Sequence, residues 1–294
     1  MTSMKKFVIF TLAAISAATM FAQVSSSVQQ SVVYRPERYS IRQGATINNP
    51  LNNYRFTLIQ SKPENNKAPR TQFWLAADHF GFCALINFLN ITVNGYNNSE
   101  ISPKASDLTA WNEKDKAGMD LKLNFDGAKL TLRLYMRNDS PVLWGKLIAD
   151  KDTIEPIKTI RVRFSAIISI LAKVNKKVAF WNVYERMAIT PVRTLTQQKK
   201  PWQLTPEDTY LVLQDNKFDG SGEGKGRGPV MIILDHKAVK NAKLELRNSW
   251  TTGLDLELKP DFREFEFGLW QQKPVISNKA FAEKLKKEKA AFRK

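Results

Sequence analysis

Apolar and polar residues alternate along most of this chain, and the clearest case is residues 119–137, MDLKLNFDGAKLTLRLYMR. Within it, 119–125 and 128–136 each place every second residue on an apolar face. Strict alternation is typical of a strand with one buried and one solvated face. Asp126-Gly127 lies between the two runs and suits a tight turn with positive φ at both central residues. The stretch therefore predicts a β-hairpin.

The same alternation recurs on both sides of this hairpin, separated by turn-forming residues. No rhythm of strand and helix appears, so a parallel α/β sheet is disfavoured. The sequence predicts an all-β fold, a large antiparallel β-sandwich, with a closed barrel as the second choice. The further strands are expected at 32–40, 54–61, 71–77, 142–149, 160–164, 177–189, 210–214, 231–234, 242–247, 253–259 and 264–270, and residues 80–94 are expected to form one long buried strand or two shorter ones.

The two ends of the chain depart from the alternation. A basic start and the apolar run 7–18 have the form of a signal peptide over 1–22, which would export the chain to the periplasm or beyond. An uncleaved membrane anchor is the alternative. Polar residues 23–31 are expected to be a linker, and 32–276 a single sandwich domain. Lysine-rich residues 277–294 predict a C-terminal helix, either solvated or lying on a membrane surface.

The net charge of +17 over 294 residues bears on the binding partners of the protein more than on its fold. A strongly basic protein favours polyanions such as acidic polysaccharide, lipopolysaccharide, a membrane surface or nucleic acid. An exported protein meets the first three more often, and no nucleic-acid-binding motif is evident. The single cysteine, Cys83, lies in an apolar run and is expected to be a buried small residue rather than a nucleophile.

A glycine-rich loop over 216–229, NKFDGSGEGKGRGP, is the most conspicuous local feature. Its glycine spacing matches neither the phosphate-binding loop nor the dinucleotide-binding fingerprint, so no nucleotide cofactor is expected. The loop is either a mobile lid over a ligand or a flexible hairpin connection. Its charged residues Asp219, Glu223 and Arg227 are candidates to lie near a binding site.

The two histidines, His79 and His236, each follow an aspartate and are weak candidates for proton transfer. A structural role is the alternative for each. The chain has no histidine or cysteine cluster with the spacing of metal ligands, so no metal site is predicted.

Arginine and aromatic residues on the polar strand faces are the third candidate. Aromatic rings stack on sugars, and arginine pairs with carboxylate or sulfate. Arg133, Tyr135, Arg161 and Arg163 are predicted to share one concave sheet face, with the glycine-rich loop near its rim. An ordinary solvated face is the alternative. The full set of candidate substrate-binding residues is Arg133, Tyr135, Arg161, Arg163, Trp181, Tyr184 and Arg186.

Residues 210–270 resemble secreted bacterial proteins of the galactose-mutarotase-like β-supersandwich class. The resemblance rests on YLVLQD, the glycine-rich loop ending in Gly228-Pro229, MIIL, and the closing alternation EFEFGLW. It implies a large twisted sandwich with a concave sheet that faces a sugar. In mutarotases a glutamate and histidines act on the sugar ring, but the resemblance transfers no catalytic residue to this chain.

Together these observations favour an exported carbohydrate-associated protein that binds or acts on a sugar chain. Anionic sugar chains are among the candidates. Whether it is an enzyme is left open. The alternative is a non-enzymatic envelope protein that contacts membrane or protein partners through its basic surface and C-terminal helix.

Overall fold

The computed structural model describes residues 23–35, 38–63, 70–77, 88–166, 172–174, 177–179, 185–215, 229–246, 251–271 and Glu283. Apart from the single helical residue Glu283, the regular elements in these ranges are strands, with short 3₁₀ turns at Ala105–Asp107 and His236–Ala238. The strands in chain order are β1 (Ser25–Arg35), β2 (Arg38–Asn49), β3 (Asn52–Pro63), β4 (Arg70–Ala77), β5 (Leu89–Val93), β6 (Tyr96–Asn97), β7 (Leu108–Asn112), β8 (Lys116–Phe125), β9 (Ala128–Arg137), β10 (Leu143–Ala149), β11 (Ile160–Ala166), β12 (Ala172–Val174), β13 (Lys177–Ala179), β14 (Arg186–Ile189), β15 (Thr194–Thr196), β16 (Trp202–Gln203), β17 (Tyr210–Asp215), β18 (Val230–Leu234), β19 (Val239–Glu245), β20 (Thr252–Leu258) and β21 (Glu264–Gln271).

Strands β8 and β9 form the hairpin that the sequence predicts. Asp126 and Gly127 have φ angles of 50° and 95°, the positive values that a tight hairpin turn requires. The Asn124 side-chain oxygen accepts a hydrogen bond of 2.8 Å from the Gly127 N–H and fixes the turn. Every second residue of both strands is buried, as the alternation requires.

The strands form three larger sheets and one two-stranded ribbon, β12–β13. A nine-stranded sheet has the order β15-β14-β17-β18-β21-β10-β9-β8-β7, and a six-stranded sheet has the order β16-β19-β20-β11-β5-β6. A four-stranded sheet has the order β1-β2-β3-β4. Several neighbours are distant in sequence, since β21 lies between β18 and β10, and β20 lies beside β11.

The nine-stranded and six-stranded sheets pack face to face around one apolar core. Phe164 of β11 and Phe267 of β21 meet across it, with ring centroids 4.9 Å apart in an edge-to-face arrangement. Gly145 of β10 leaves room for the Phe267 ring, because a Cβ atom at this position would overlap the ring. The predicted antiparallel β-sandwich is therefore confirmed.

The four-stranded sheet adjoins both of the others. At one edge, the Ser26 N–H of β1 donates to the Asn112 side chain of β7 over 2.8 Å. At the other edge, the Phe88 N–H donates to the Phe73 carbonyl of β4 over 3.1 Å. Strand β1 thus occupies most of the segment 23–31, which its polar sequence predicts to be a linker. Its polar residues still form a strand because they pair with β2 along the whole length of β1.

Tyr54 ties the four-stranded sheet to the nine-stranded sheet. Its buried hydroxyl accepts a hydrogen bond of 3.0 Å from the Gln271 N–H at the end of β21 and donates to the Leu269 carbonyl over 3.3 Å. Burial raises the pKa of Tyr54 far above its ordinary value, so the hydroxyl is neutral at every physiological pH.

The prediction of a C-terminal helix is wrong. The described residues contain no helix of seven or more residues, and within 277–294 only Glu283 is among them. The prediction depended on a narrow apolar stripe in a lysine-rich segment. A short amphipathic helix also needs an apolar partner surface to be stable. In the ranges that the structure describes, no helix is long and apolar enough to cross a membrane.

Candidate functional site

The structure separates the four residues that were predicted to share one sheet face. Arg133 and Tyr135 lie on β9 of the nine-stranded sheet, whereas Arg161 and Arg163 lie on β11 of the six-stranded sheet. Both pairs point away from the core between the two sheets, because their neighbours in sequence are buried in it. The two pairs therefore occupy opposite outer faces of the sandwich, and the predicted shared face is wrong.

Arg163 is held within the outer face of the six-stranded sheet. Its guanidinium donates to the Asp255 carboxylate over 2.5 Å and to the Glu245 carboxylate over 2.7 Å. The group lies directly over Gly253, where a Cβ atom would collide with it. Arg161, one outward position along β11, is exposed and lies between Thr92 and Glu257 on the neighbouring strands. On this face the Arg163 guanidinium is therefore already engaged in ion pairs with two carboxylates.

The remaining candidates are scattered or lie outside the described ranges. Arg186 begins β14 and is buried, with 2% of its surface exposed, on the same side of the strand as core residue Ala188. The His236 ring nitrogen Nε2 lies 3.1 Å from the Asp208 carbonyl oxygen, which is consistent with a structural contact. Outside the described residues are His79, Trp181, Tyr184, Asp219, Glu223 and Arg227.

The outer face of the nine-stranded sheet, opposite the core, carries a line of aromatic residues in one register. Trp111 of β7 is opposite Gly118, Gly118 is opposite Tyr135, and Tyr135 is opposite Trp144 of β10. We call Trp111, Tyr135 and Trp144 the aromatic row. All three are partly exposed, and adjacent strands lie about 4.8 Å apart, so the row spans roughly 14 Å.

Gly118 allows Trp111 to lie close against the sheet. A Cβ atom at this position would stand 2.8 Å from Trp111 Cζ2 and 2.7 Å from Tyr135 Cβ, closer than carbon atoms approach. The Trp111 and Tyr135 ring centroids are 6.3 Å apart with 37° between the ring planes. The two rings therefore form one tilted surface across three strands.

Asp120 holds the Trp111 end of this surface in place. Its Oδ1 accepts hydrogen bonds from Trp111 Nε1–H at 3.0 Å and from Arg133 Nε–H at 2.8 Å, and its Oδ2 accepts from Arg133 Nη2 at 2.7 Å. The Arg133 guanidinium carbon lies 5.5 Å from the Trp111 ring centroid, a cation–π contact. One carboxylate thus fixes both an indole and a guanidinium before any ligand arrives.

The next outward-facing residues along these strands form a second line beside the aromatic row, and this line is charged. Asp120, Arg133, Lys146 and Glu266 follow one another across β8, β9, β10 and β21, and we call them the charged row. Their side chains are 22%, 40%, 25% and 36% exposed, so water and ligands reach all four. Polar groups that can donate to and accept from hydroxyls therefore line the aromatic row along one side.

Tyr135 connects the two rows. Its hydroxyl donates to Glu266 Oε1 over 3.1 Å. Burial of the phenol, followed by the negative charge of Glu266, raises the pKa of Tyr135 to about 12. The hydroxyl therefore stays protonated near neutral pH and keeps its bond to Glu266.

Beyond β21 the same outer face becomes apolar. Val212, Met231 and Trp270, of β17, β18 and β21, form a second buried cluster with Val142, which precedes β10; the cluster is separate from the main core, and Trp144 of the aromatic row packs against it. The aromatic and charged rows thus lie on the part of the face formed by β7, β8, β9, β10 and β21. In the described ranges, no group of three or more histidine, cysteine or acidic side chains is placed to hold a metal ion.

Sequence reasoning missed Trp111, Trp144 and Lys146 as parts of a site. Trp111 lies in the five-residue strand β7, LTAWN, whose alternation is too short to stand out from its polar surroundings. Trp144 and Lys146 alternate with buried residues in β10, and this pattern was available as a signal. What was lacking was the information that β10 lies beside β9.

Comparisons with known proteins add little. No protein-family model matches the chain, and no curated protein matches it significantly. Among solved structures, the chain is similar to a GH36 α-galactosidase variant from Geobacillus stearothermophilus in complex with 1-deoxygalactonojirimycin, with 6% sequence identity and a TM-score of 0.35. The match covers 84% of this chain and 41% of that chain. A TM-score this low identifies neither a shared fold nor a shared function.

Proposed function

We propose that this protein binds a carbohydrate chain on the outer face of its nine-stranded sheet. The observation that supports the proposal most strongly is the aromatic row, three partly exposed rings in one register on a rigid antiparallel sheet. Aromatic rings offer flat apolar surfaces that pack against the C–H faces of sugar rings. A span of roughly 14 Å over three strand steps accommodates more than one sugar ring.

The charged row supplies the hydrogen bonds that stacking alone lacks. Carboxylate oxygens accept from sugar hydroxyls, while the Lys146 ammonium and the Arg133 guanidinium donate to them. Because Arg133 is bonded to Asp120 and Lys146 is bonded to Glu264 beside the row, the positions of these cations are set before binding. Preorganisation lowers the entropy lost when a ligand orders the groups that contact it.

The proposal includes export. The signal peptide expected over 1–22 would deliver the chain to the periplasm or the outside, where polysaccharides are abundant. The supersandwich resemblance of residues 210–270 likewise implies a sheet that faces a sugar. Both arguments come from the sequence.

The direct test replaces Trp111 with alanine in the chain that begins at residue 23. The variant removes the end of the aromatic row, and we expect its affinity for the bound glycan to fall about tenfold, or 1.4 kcal/mol. Binding is measured by calorimetry after a glycan array has identified the ligand. The matched control is Trp202→Ala, which removes a partly exposed indole from β16 of the six-stranded sheet.

The expected result is a loss of affinity in Trp111→Ala while Trp202→Ala binds like the original protein. Equal affinity in both variants would remove the aromatic row from the proposal. Absence of binding to every glycan on the array would contradict carbohydrate binding as a whole.

A further inference from the structure

The cations of the charged row are already neutralised by carboxylates. Arg133 makes a two-pronged contact with Asp120, with nitrogen–oxygen distances of 2.8 and 2.7 Å. The Lys146 ammonium lies 2.7 Å from Glu264 Oε1 and 3.8 Å from Glu266 Oε1. Two cations therefore face three carboxylates, and this part of the surface carries an excess of negative charge.

The basic residues that flank the two rows on β8 and β9 are also engaged. Lys116 pairs with Glu113 at 3.1 Å, Lys129 with Asp152 at 2.7 Å, and Arg137 with Asp139 at 3.4 Å. Lys122, near the hairpin turn, lies in the electrostatic field of the same Asp152 and helps lower the pKa of that carboxyl, after the larger effect of the Lys129 hydrogen bond. On β8 and β9 the described outer face thus has one cation without an ion pair, Lys122, and no cluster of such cations.

We infer that the ligand of this face is an uncharged glycan, an inference that rests on the proposed carbohydrate-binding function. An anionic sugar would have to displace Asp120 from Arg133, or Glu264 from Lys146, and would then meet the displaced carboxylate as a like charge. Hydroxyl groups impose no such cost, since they both donate and accept. The chain's net charge of +17 attracts polyanions at long range, but the local pairing excludes them from the aromatic row.

Asp120 is the residue that sets this selectivity. Its charge occupies the guanidinium of Arg133, which would otherwise be the natural partner of a carboxylate or sulfate on a sugar. Replacement by asparagine removes the negative charge but retains a carbonyl oxygen that accepts from the Trp111 indole N–H. The substitution therefore releases Arg133 without removing the support of Trp111.

The test compares Asp120→Asn with Glu257→Gln. Glu257 pairs with Lys240 at 2.8 Å on the six-stranded sheet, so its replacement raises the net charge by the same amount on the opposite side of the sandwich. Binding of neutral glucans, galactans, mannans and xylans, and of polygalacturonate and dextran sulfate, is measured at low and at physiological ionic strength. A second variant, Glu264→Gln, removes one of the two carboxylates that face Lys146. It replaces Asp120→Asn in the comparison if that variant does not fold.

We expect the original protein to bind a neutral glycan with little dependence on salt. Asp120→Asn should bind polygalacturonate about tenfold more tightly than Glu257→Gln does, with the gain lost at high salt. The inference would be overturned if the original protein bound an acidic glycan and Arg133→Ala abolished that binding. Carbohydrate binding on this face would then still stand. Equal gains in Asp120→Asn and Glu257→Gln would also overturn it. Absence of binding to both classes would overturn the proposed function itself.

Discussion

Replacing Gly118 with alanine tests whether the aromatic row is built as tightly as the structure shows. The added methyl group would lie 2.7 Å from Tyr135 Cβ, 2.8 Å from Trp111 Cζ2, and closer still to the Leu134 carbonyl oxygen. The carbonyl oxygen belongs to the backbone of β9 and cannot move without disturbing the sheet. The clash with this oxygen therefore strains the sheet itself, while the clash with Trp111 is relieved only if the indole tilts away from the sheet and from Tyr135.

The expected cost follows from the number and rigidity of these contacts. Forcing a methyl group into a filled site costs about 1–3 kcal/mol. For a domain of this size that free energy corresponds to a decrease in Tm of roughly 2–6 °C. Glycan affinity should fall by about as much as in Trp111→Ala, because the same ring is displaced.

The assay is urea unfolding followed by circular dichroism, combined with calorimetric binding on the folded variant. Gly44→Ala is the matched control, since Gly44 also lies within a strand on an outer face. A Cβ atom there would meet the Phe56 carbonyl oxygen at 3.4 Å and Thr57 Oγ1 at 4.0 Å, which are ordinary contacts. This control should be neutral or gain about 0.4–1 kcal/mol from the reduced freedom of the unfolded chain. Equal stability of Gly118→Ala and Gly44→Ala would refute the tight packing of Trp111 against β8.

Two further substitutions test how the sheets are held together. Asp208 has a fully buried carboxylate that accepts from Arg193 at 2.6 Å and from the Thr205 N–H at 2.9 Å. Burial acts to raise the pKa of Asp208, but these bonds outweigh it and lower the pKa below its ordinary value. The stabilisation is therefore present above the unfolded pKa of about 3.9 and lost as pH falls through the lower folded pKa. Asp208→Asn should lower the free energy of unfolding by about 1–3 kcal/mol at pH 7 and by less in acid. Urea unfolding of both proteins at several pH values measures this loss, and a loss that does not change with pH would contradict the assignment. Tyr54→Phe leaves the Gln271 N–H without its acceptor and should cost about 1–3 kcal/mol in the same assay; an unchanged midpoint would show that this bond does not join the sheets.

Local sequence predicted the direction of side chains well. Alternation correctly placed Leu134 inside and both Arg133 and Tyr135 outside, because a strand turns successive side chains to opposite faces. Asp126-Gly127 correctly marked the hairpin, because few other residue pairs adopt positive φ at adjacent positions. These features depend only on neighbours in the chain.

The identity of neighbouring strands could not be predicted in the same way. Strand β10 lies between β9 and β21, and its Lys146 is opposite Glu266, 120 positions further along the sequence. Nothing in either strand specifies that partner, since many strands of this chain share the same alternation. The error that placed Arg133 beside Arg161 came from this ambiguity, and so did the failure to join Glu266 to Tyr135 as a site.

The measurement that tests carbohydrate binding most directly is a nitrogen-15 NMR titration of the tryptophan indole signals. The chain contains seven tryptophans, which give few and separable indole resonances. Substitutions assign the signals of Trp111, Trp144 and Trp202, and the glycan identified on the array is then added. Carbohydrate binding on the outer face predicts saturable shifts of Trp111 and Trp144 while Trp202 on the six-stranded sheet stays unmoved. Shifts of Trp202 with Trp111 and Trp144 unchanged would place the ligand elsewhere and contradict the proposed site.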